Sequence, residues 1–171
     1  MGIKNENLRM KRTLFIGQAM PRTKSNPHDW PTLNAWLYAI GLTDDLIRNN
    51  FLYSALVNYF PGAKNGTHLV PTKEEIANER ERLKKTIIDF NPEIVVPIGR
   101  LSIAYCLNKK VEPLEKHVGK TYFVNPYELF DKEILIIPFP HPSGASTWRY
   151  SKQGKKLIPI VLNLLKVNLY G

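Results

Sequence analysis

Length, composition and charge narrow the class of this protein. A chain of 171 residues is long enough for one domain with a sizeable core and too short for two ordinary ones. Hydrophobic residues make up 43% and charged residues 23%, as in soluble globular proteins, so we predict a single domain over residues 1–171. The net charge of +9 favours a polyanionic partner, with nucleic acid ahead of an anionic membrane surface.

Cysteine content and hydropathy exclude further classes. The single cysteine, Cys106, rules out an internal disulfide and any zinc or iron–sulfur site made only of cysteines. It lies in an apolar helical stretch, which predicts a buried thiol. Because no signal-peptide core and no run of ~18 apolar residues is visible, we expect a cytoplasmic, nucleoid-associated protein without a membrane segment. We expect no metal or other cofactor.

Strand-like and helix-like segments alternate along the chain. The strand-like runs are nearly continuous in hydrophobicity, which is typical of strands covered on both faces, and the helical segments repeat apolar residues at one-face spacing. In chain order we predict a strand at 14–16, a helix at 32–40, a strand at 51–57, a long turn at 61–68, a helix at 72–90, a strand at 94–98, a helix at 101–107, an edge strand at 118–125, a strand at 134–137 and a helix at 151–167 that Pro159 interrupts or begins.

This alternation predicts an α/β fold. We expect a three-layer α/β/α sandwich around a central, mostly parallel sheet of four to five strands. Ligands of such sheets bind outside the carboxyl ends of the strands. Two special loops follow strands there: Gly17 opens one, and His141 opens the other. Hence we predict one site, built from both ends of the chain.

The second loop carries the strongest chemical signal. His141 stands between two prolines, and it could serve as a general base, a metal ligand or an oxyanion stabiliser, or it could be a packed histidine at a strand end. Metal binding is disfavoured because no second ligand lies at a suitable spacing. Ser143 and Ser146, with amides freed by Gly144, suit a phosphate. The nearby lysines of segment 152–156 favour the same partner.

Together these segments resemble the uracil-DNA glycosylase superfamily. His141-Pro-Ser-Gly-Ala-Ser-Thr-Trp-Arg149 is similar to the family's second motif, of the His-Pro-Ser type. Gly17-Gln-Ala-Met-Pro-Arg22 is similar to its first motif, which follows strand one. The middle of the chain, including 97–104, is similar to the bacterial and archaeal branches, and the resemblance covers roughly residues 13 to 150.

The resemblance implies a mechanism. A monofunctional DNA glycosylase flips a damaged nucleotide out of single- or double-stranded DNA, at a cost of about a few kcal/mol, and hydrolyses the bond between base and sugar. His141 would donate a hydrogen bond to the departing base and stabilise its negative charge. Gly17, Gln18 and Ala19 would contact the base or position the water, and Gln18 would be a catalytic residue. The DNA-binding residues would be Ser143, Gly144, Ala145, Ser146, Trp148 and Arg149, with Trp148 as the wedge.

Departures from the family pattern shape the remaining expectations. Ala19 stands where the most active uracil enzymes have a water-positioning aspartate, so Asp29 is the alternative catalytic carboxylate, and Trp30 beside it is a base-stacking platform. Leu56 stands near the place of the base-reading asparagine, and Asn58 could substitute because side chains two apart on a strand share a face. The iron–sulfur cysteines are absent, which implies a cluster-free member.

Three functions remain open from the sequence. We favour excision of uracil or another deaminated base by a monomer. The alternative is a DNA- or nucleotide-binding module on the same fold that has lost catalysis, which Ala19 and Leu56 favour and the intact His141-Pro-Ser disfavours. A small-molecule hydrolase with Ser143 as nucleophile is the third, although Pro-Ser-Gly-Ala is not a nucleophile elbow.

Overall fold

The sheet and helices are seen in a computed structural model, which describes residues 9–20, 30–64, 67–68, 70–142 and 147–170, without the side chains of 63, 64, 67 and 68. The strands are β1 (Thr13–Ala19), β2 (Phe51–Val57), β3 (Ala63–Lys64), β4 (Thr67–His68), β5 (Ile94–Pro97), β6 (Tyr122–Val124) and β7 (Ile134–Ile136). The α-helices are α1 (Pro31–Ala39), α2 (Asp44–Asn50), α3 (Lys73–Asn78), α4 (Arg80–Phe90), α5 (Gly99–Leu107) and α6 (Lys152–Asn168). Single 3₁₀ turns occupy Leu114–Lys116, Pro126–Glu128 and Trp148–Tyr150.

Five strands form the central sheet in the order β2–β1–β5–β7–β6. The first four are parallel, and β6 pairs antiparallel with β7 at one edge. Every residue of β5 and the first five residues of β1 are buried, although their side chains alternate between the two faces of the sheet. Both faces are therefore covered, and the protein is a three-layer α/β sandwich, as the sequence predicts.

Most predicted elements are confirmed. Strand β2 has the predicted bounds, the four parallel strands lie where apolar runs predict them, and the predicted edge strand is β6. Cys106 is buried, and its burial raises the pKa of the thiol. Within the described residues, no helix is both long and apolar enough to cross a membrane.

Three local predictions need correction. The helix expected over 72–90 is two helices that meet at Glu79. The turn expected over 61–68 contains the short antiparallel pair β3–β4. Pro159 neither begins nor interrupts α6, because the helix begins after Ser151, whose Oγ accepts a 3.1 Å hydrogen bond from the Gly154 amide, and Pro159 lies on its exposed face. The backbone group that proline leaves unbonded can be solvated there.

Helix α2 has no counterpart among the sequence predictions. It begins after Thr43, whose hydroxyl accepts a 3.3 Å hydrogen bond from the Leu46 amide, and two aspartates occupy its first turn. Both features stabilise a helix N-terminus. The helix then leads directly into β2.

A candidate active site at the carboxyl edge of the sheet

His141 is delivered to the site by a backbone that is fixed two residues earlier. The Phe139 amide donates to the Pro97 carbonyl at 2.9 Å, and the Phe139 carbonyl accepts from the Gly99 amide at 3.0 Å. The Phe139 ring is fully buried, edge-on to Phe15 at a centroid distance of 6.0 Å. The sheet pairing thus continues past β7, so His141, which is partly buried, starts from a rigid edge.

An aromatic stack joins His141 to the opposite end of the chain. The His141 ring packs edge-to-face on Trp30, with centroids 5.4 Å apart and planes at 77°. Trp30 in turn stacks on Tyr53 of β2, at 5.7 Å and 30°. Trp30 and Tyr53 are both buried, so neither ring is free to swing away. Trp30, predicted to bind the base, therefore does lie against the predicted catalytic histidine.

Gly17 belongs to the same cluster because of Tyr53. A Cβ added at Gly17 would overlap the Tyr53 hydroxyl and lie 3.3 Å from its Cζ, closer than such atoms normally approach. The phenol is buried, which raises its pKa. Tyr53 is thus a site residue that the sequence analysis missed. The available signal was a glycine inside a strand, which often marks close approach of another group.

The other residues of the first motif and of β2 lie at the same edge. Gln18 and Ala19 are the last, partly buried residues of β1, and the pairing with β2 reaches Ala19 opposite Val57. Asn58 follows directly after β2 with an exposed side chain, whereas Leu56 is buried in the core. The expectation that Asn58 shares a strand face with Leu56 is therefore wrong, because β2 ends at Val57, but Asn58 does present a polar side chain to solvent.

The carboxyl end of β2 is held from outside by α4. Arg82 donates from Nη1 to the Ser54 hydroxyl at 3.0 Å and from Nη2 to the Ala55 carbonyl at 2.7 Å. Glu79 accepts a 2.6 Å hydrogen bond from the backbone amide of Asn58 and one from Arg82 Nε at 3.3 Å. Burial lowers the pKa of Arg82. These contacts fix the backbone at Asn58. Glu79, which accepts two of the hydrogen bonds, lies between α3 and α4.

Residues 147–150 pack against the body of the protein. Trp148 is partly buried and donates from its indole to Glu115 at 3.3 Å. Arg149 donates from Nη1 to the Thr32 hydroxyl at 2.7 Å and lies over the Tyr150 ring, 4.8 Å from its centroid. The Thr32 contact connects this segment to the first turn of α1, next to Trp30. Trp148 and Arg149, both predicted to bind DNA, therefore also have contacts within the protein.

A close approach fixes the start of α6 against this segment. A Cβ at Gly154 would overlap the Trp148 carbonyl oxygen and lie 2.7 Å from the Arg149 Cα. Glycine at 154 thus lets the Trp148–Tyr150 turn pack directly on the helix. Lys152, Lys155 and Lys156, in the same first turns of α6, are exposed. Positive charge therefore flanks the Trp148–Tyr150 turn.

Several predicted residues lie outside the residues that the structure describes. They are Asp29, Ser143, Gly144, Ala145 and Ser146. Their assigned roles stay predictions from the sequence. Over the described part of the chain, no three His, Cys, Asp or Glu side chains form a group able to hold a metal ion.

Comparison with known proteins completes this description. No curated protein matches the sequence. A family model described as the uracil DNA glycosylase superfamily matches residues 6–165, which is nearly the whole chain and includes both segments that meet at His141. This match shows that the chain belongs to the uracil DNA glycosylase superfamily, and the mostly parallel central sheet agrees with it.

Proposed function

We propose that this protein is a monofunctional DNA glycosylase that hydrolyses the N-glycosidic bond of uracil, or of another deaminated base, after the nucleotide has been flipped out of DNA. Membership of the superfamily supports the reaction class. The net charge of +9 suits a DNA partner, which the protein would bind as a monomer.

One observation carries the proposal: the contact between His141 and Trp30. These residues are 111 positions apart, and their rings lie edge-to-face at 5.4 Å. The indole orients an imidazole that can donate a hydrogen bond to an oxygen of the departing base. In the transition state that base gains negative charge, and a fixed donor stabilises the charge more than it stabilises the uncleaved base.

The other site residues have supporting roles in this proposal. Trp30, backed by Tyr53, supports the His141 ring, and the small exposed part of Trp30 would contact the flipped base. Gly17, Gln18 and Ala19 offer backbone and amide groups at the end of β1, and Asn58 supplies a side-chain amide to the base edge. Asp29 would position the attacking water. Trp148 and Arg149, with the loop from Ser143 to Ser146, would contact the DNA strand, while the lysines of α6 attract its phosphates.

The experiment is a base-release assay with single- and double-stranded oligonucleotides. Each carries one uracil, hypoxanthine, xanthine or mismatched thymine, and alkali then cleaves the strand at any abasic site. We expect cleavage at one or more of the lesions by the wild-type protein and strongly reduced cleavage by His141→Ala.

The alternative, a binding module that has lost catalysis, is supported by the buried Leu56 and by the lack of a carboxylate at Ala19. It predicts DNA binding in a mobility-shift assay but no cleavage at any lesion. That result would overturn the proposed enzyme.

A further inference from the structure

A second concave site lies apart from His141. A cavity of about 500 Å³ opens between α3, α5 and the turn Pro126–Glu128, and we call it the α3–α5 groove. Its lining includes Lys73, Ile76, Arg80, Leu101, Lys109 and Val111. None of its lining residues belongs to segment 17–30 or segment 141–149.

The direction of α5 separates the two sites. Helix α5 starts at Gly99, just beyond the carboxyl end of β5, and its nine residues extend ~13 Å. The groove follows this helix to Asn108 and the three residues after it. Its basic end therefore lies at the far end of α5 from the edge of the sheet that carries His141.

The groove combines an apolar floor with a positive rim. Ile76 and Ala104 are buried in the floor, and Val111 exposes 49% of its surface beside them. On the rim stand Lys73, Lys109 and Lys110, which are exposed, and Arg80, which is partly buried. Glu128 is the acidic residue among the lining residues. Four cations against one carboxylate leave a local charge that calls for an anionic occupant.

One wall of the groove is built from strained backbone. Tyr127 and Glu128 both adopt left-handed conformations, with φ of 58° and 57°. Such conformations of non-glycine residues persist where surrounding contacts over-determine them, and they concentrate at binding sites. Here the Tyr127 hydroxyl shares a 2.7 Å hydrogen bond with Ser102, and its carbonyl accepts from Arg80 Nη2 at 3.3 Å. The wall is therefore fixed before any ligand arrives.

We propose that the α3–α5 groove binds an acidic peptide segment with apolar side chains, supplied by a partner protein. Aspartate or glutamate side chains would meet Lys73, Lys109 and Lys110, while an apolar side chain would cover Ile76 and Val111. A nucleic-acid backbone would satisfy the rim but leave the apolar floor uncovered, so the floor favours a peptide.

The test uses the full-length, ¹⁵N-labelled protein and three probes. The probes are a short peptide of alternating aspartate and leucine, its counterpart with lysine in place of aspartate, and a short thymidine oligonucleotide. We expect the acidic peptide to shift amide resonances of α3, α5 and residues 108–111, and the basic peptide to shift none of them. No groove shifts at ~1 mM acidic peptide would overturn the proposal.

Charge reversal tests whether the lysines of the rim bind the acidic peptide. Lys109→Glu combined with Lys110→Glu should weaken binding of the acidic peptide by about tenfold or more, because both side chains are exposed on the rim. The matched control, Lys155→Glu with Lys156→Glu, reverses two adjacent lysines of α6 and should change it less than about twofold. Equal weakening by both pairs of substitutions would show that the effect comes from net charge alone and would overturn the proposal.

Two further measurements separate a peptide site from a nucleic-acid site. Val111→Asp should abolish groove shifts with the acidic peptide while unfolding at the wild-type temperature, since Val111 is half exposed. Base release by the Lys109→Glu/Lys110→Glu protein should equal that of wild type. If this variant instead loses the oligonucleotide and base release together, the groove is part of the DNA surface and the peptide proposal is wrong.

Discussion

The two edges of the central sheet are held together by different chemistry. At the amino edge, where β1 and β5 begin, Glu93 accepts hydrogen bonds from two guanidinium nitrogens of Arg9, at 2.6 and 2.8 Å, and from the Arg12 amide at 3.1 Å. At the carboxyl edge, His141, Trp30 and Tyr53 meet through ring contacts. An ion-pair network closes the amino edge, whereas at the carboxyl edge an aromatic stack holds His141 and the Arg82–Glu79 pair holds only the end of β2.

Charge balance differs between the edges as well. The carboxylate of Glu93 is matched by two arginines. By contrast, within the residues that the structure describes, no carboxylate pairs with Lys152, Lys155 or Lys156, which lie at the start of α6 beside the Trp148–Tyr150 turn. Matched charges add order to the fold, whereas unmatched cations attract an external anion. The comparison therefore assigns a stabilising role to the amino edge and supports the proposal that DNA binds at the carboxyl edge.

Replacing His141 should have the largest effect on activity. In His141→Ala the donor to the departing base is lost, so the rate of base release should fall by about 10²–10³-fold. Single-turnover assays on the cleaved lesion measure this rate. Affinity for a non-cleavable DNA analogue and the melting temperature should stay close to wild type. Thr147→Ala, at an exposed position of the same segment, is the control. An equal loss of DNA affinity would make His141 a binding residue instead.

Replacing Gly17 should have the next largest effect, on stability. In Gly17→Ala the new methyl group meets the Tyr53 hydroxyl, and overpacking of this kind costs about 1–3 kcal/mol. Tyr53→Phe removes the hydroxyl, so the double variant should recover most of the loss. Urea unfolding of the wild type, the two single variants and the double variant completes the double-mutant cycle. Strictly additive effects would show that Gly17 and Tyr53 do not share this space.

These residues also show what the sequence could and could not predict. Continuous apolar runs predicted the parallel strands because burial on both faces leaves that pattern. His141 and Trp30 were predicted from their loops, and the structure brings them together. Tyr53 was missed because its ring reaches a neighbouring strand: the glycine inside β1 signals that some group approaches closely, but the sequence does not say which one.

The same distinction explains the misread helices. Helix α2 is short and polar, so its apolar spacing is too brief to register, and only the cap at Thr43 marks it. The break between α3 and α4 lies at Glu79, whose carboxylate accepts a hydrogen bond from the backbone amide of Asn58, just after β2 and 21 residues earlier. Helical periodicity does not encode such a tertiary contact.

Reversing the charge of Lys155 and Lys156 should weaken DNA binding, by a factor smaller than the loss of activity in His141→Ala. Lys155→Glu with Lys156→Glu should lower affinity for DNA without regard to its sequence. If each lysine contacts one phosphate, the slope of log affinity against log salt should fall by about one for each. Fluorescence anisotropy over a salt series measures it. Lys132→Glu, in the turn between β6 and β7 at the other edge, is the control. Equal weakening per charge by Lys132→Glu would remove the contrast between the edges.

The amino edge should respond to pH and leave catalysis unchanged. Hydrogen bonding from Arg9, supported by the Arg12 amide, lowers the pKa of Glu93 from 4.5 to about 2. Because the folded state holds the carboxylate ionised, its contribution to stability is complete above the unfolded pKa and is lost as pH falls from about 4.5 towards 2. Glu93→Gln lacks that titration. Its melting temperature should therefore be lower than that of wild type at about pH 6, and most of the gap should disappear as pH falls from about 4.5 to about 2.5. The base-release rate of this variant, measured well below its melting temperature, should match wild type. A gap that stays constant with pH would mean that Glu93 acts through packing or neutral hydrogen bonds, and a slower rate would couple the amino edge to the chemistry at His141.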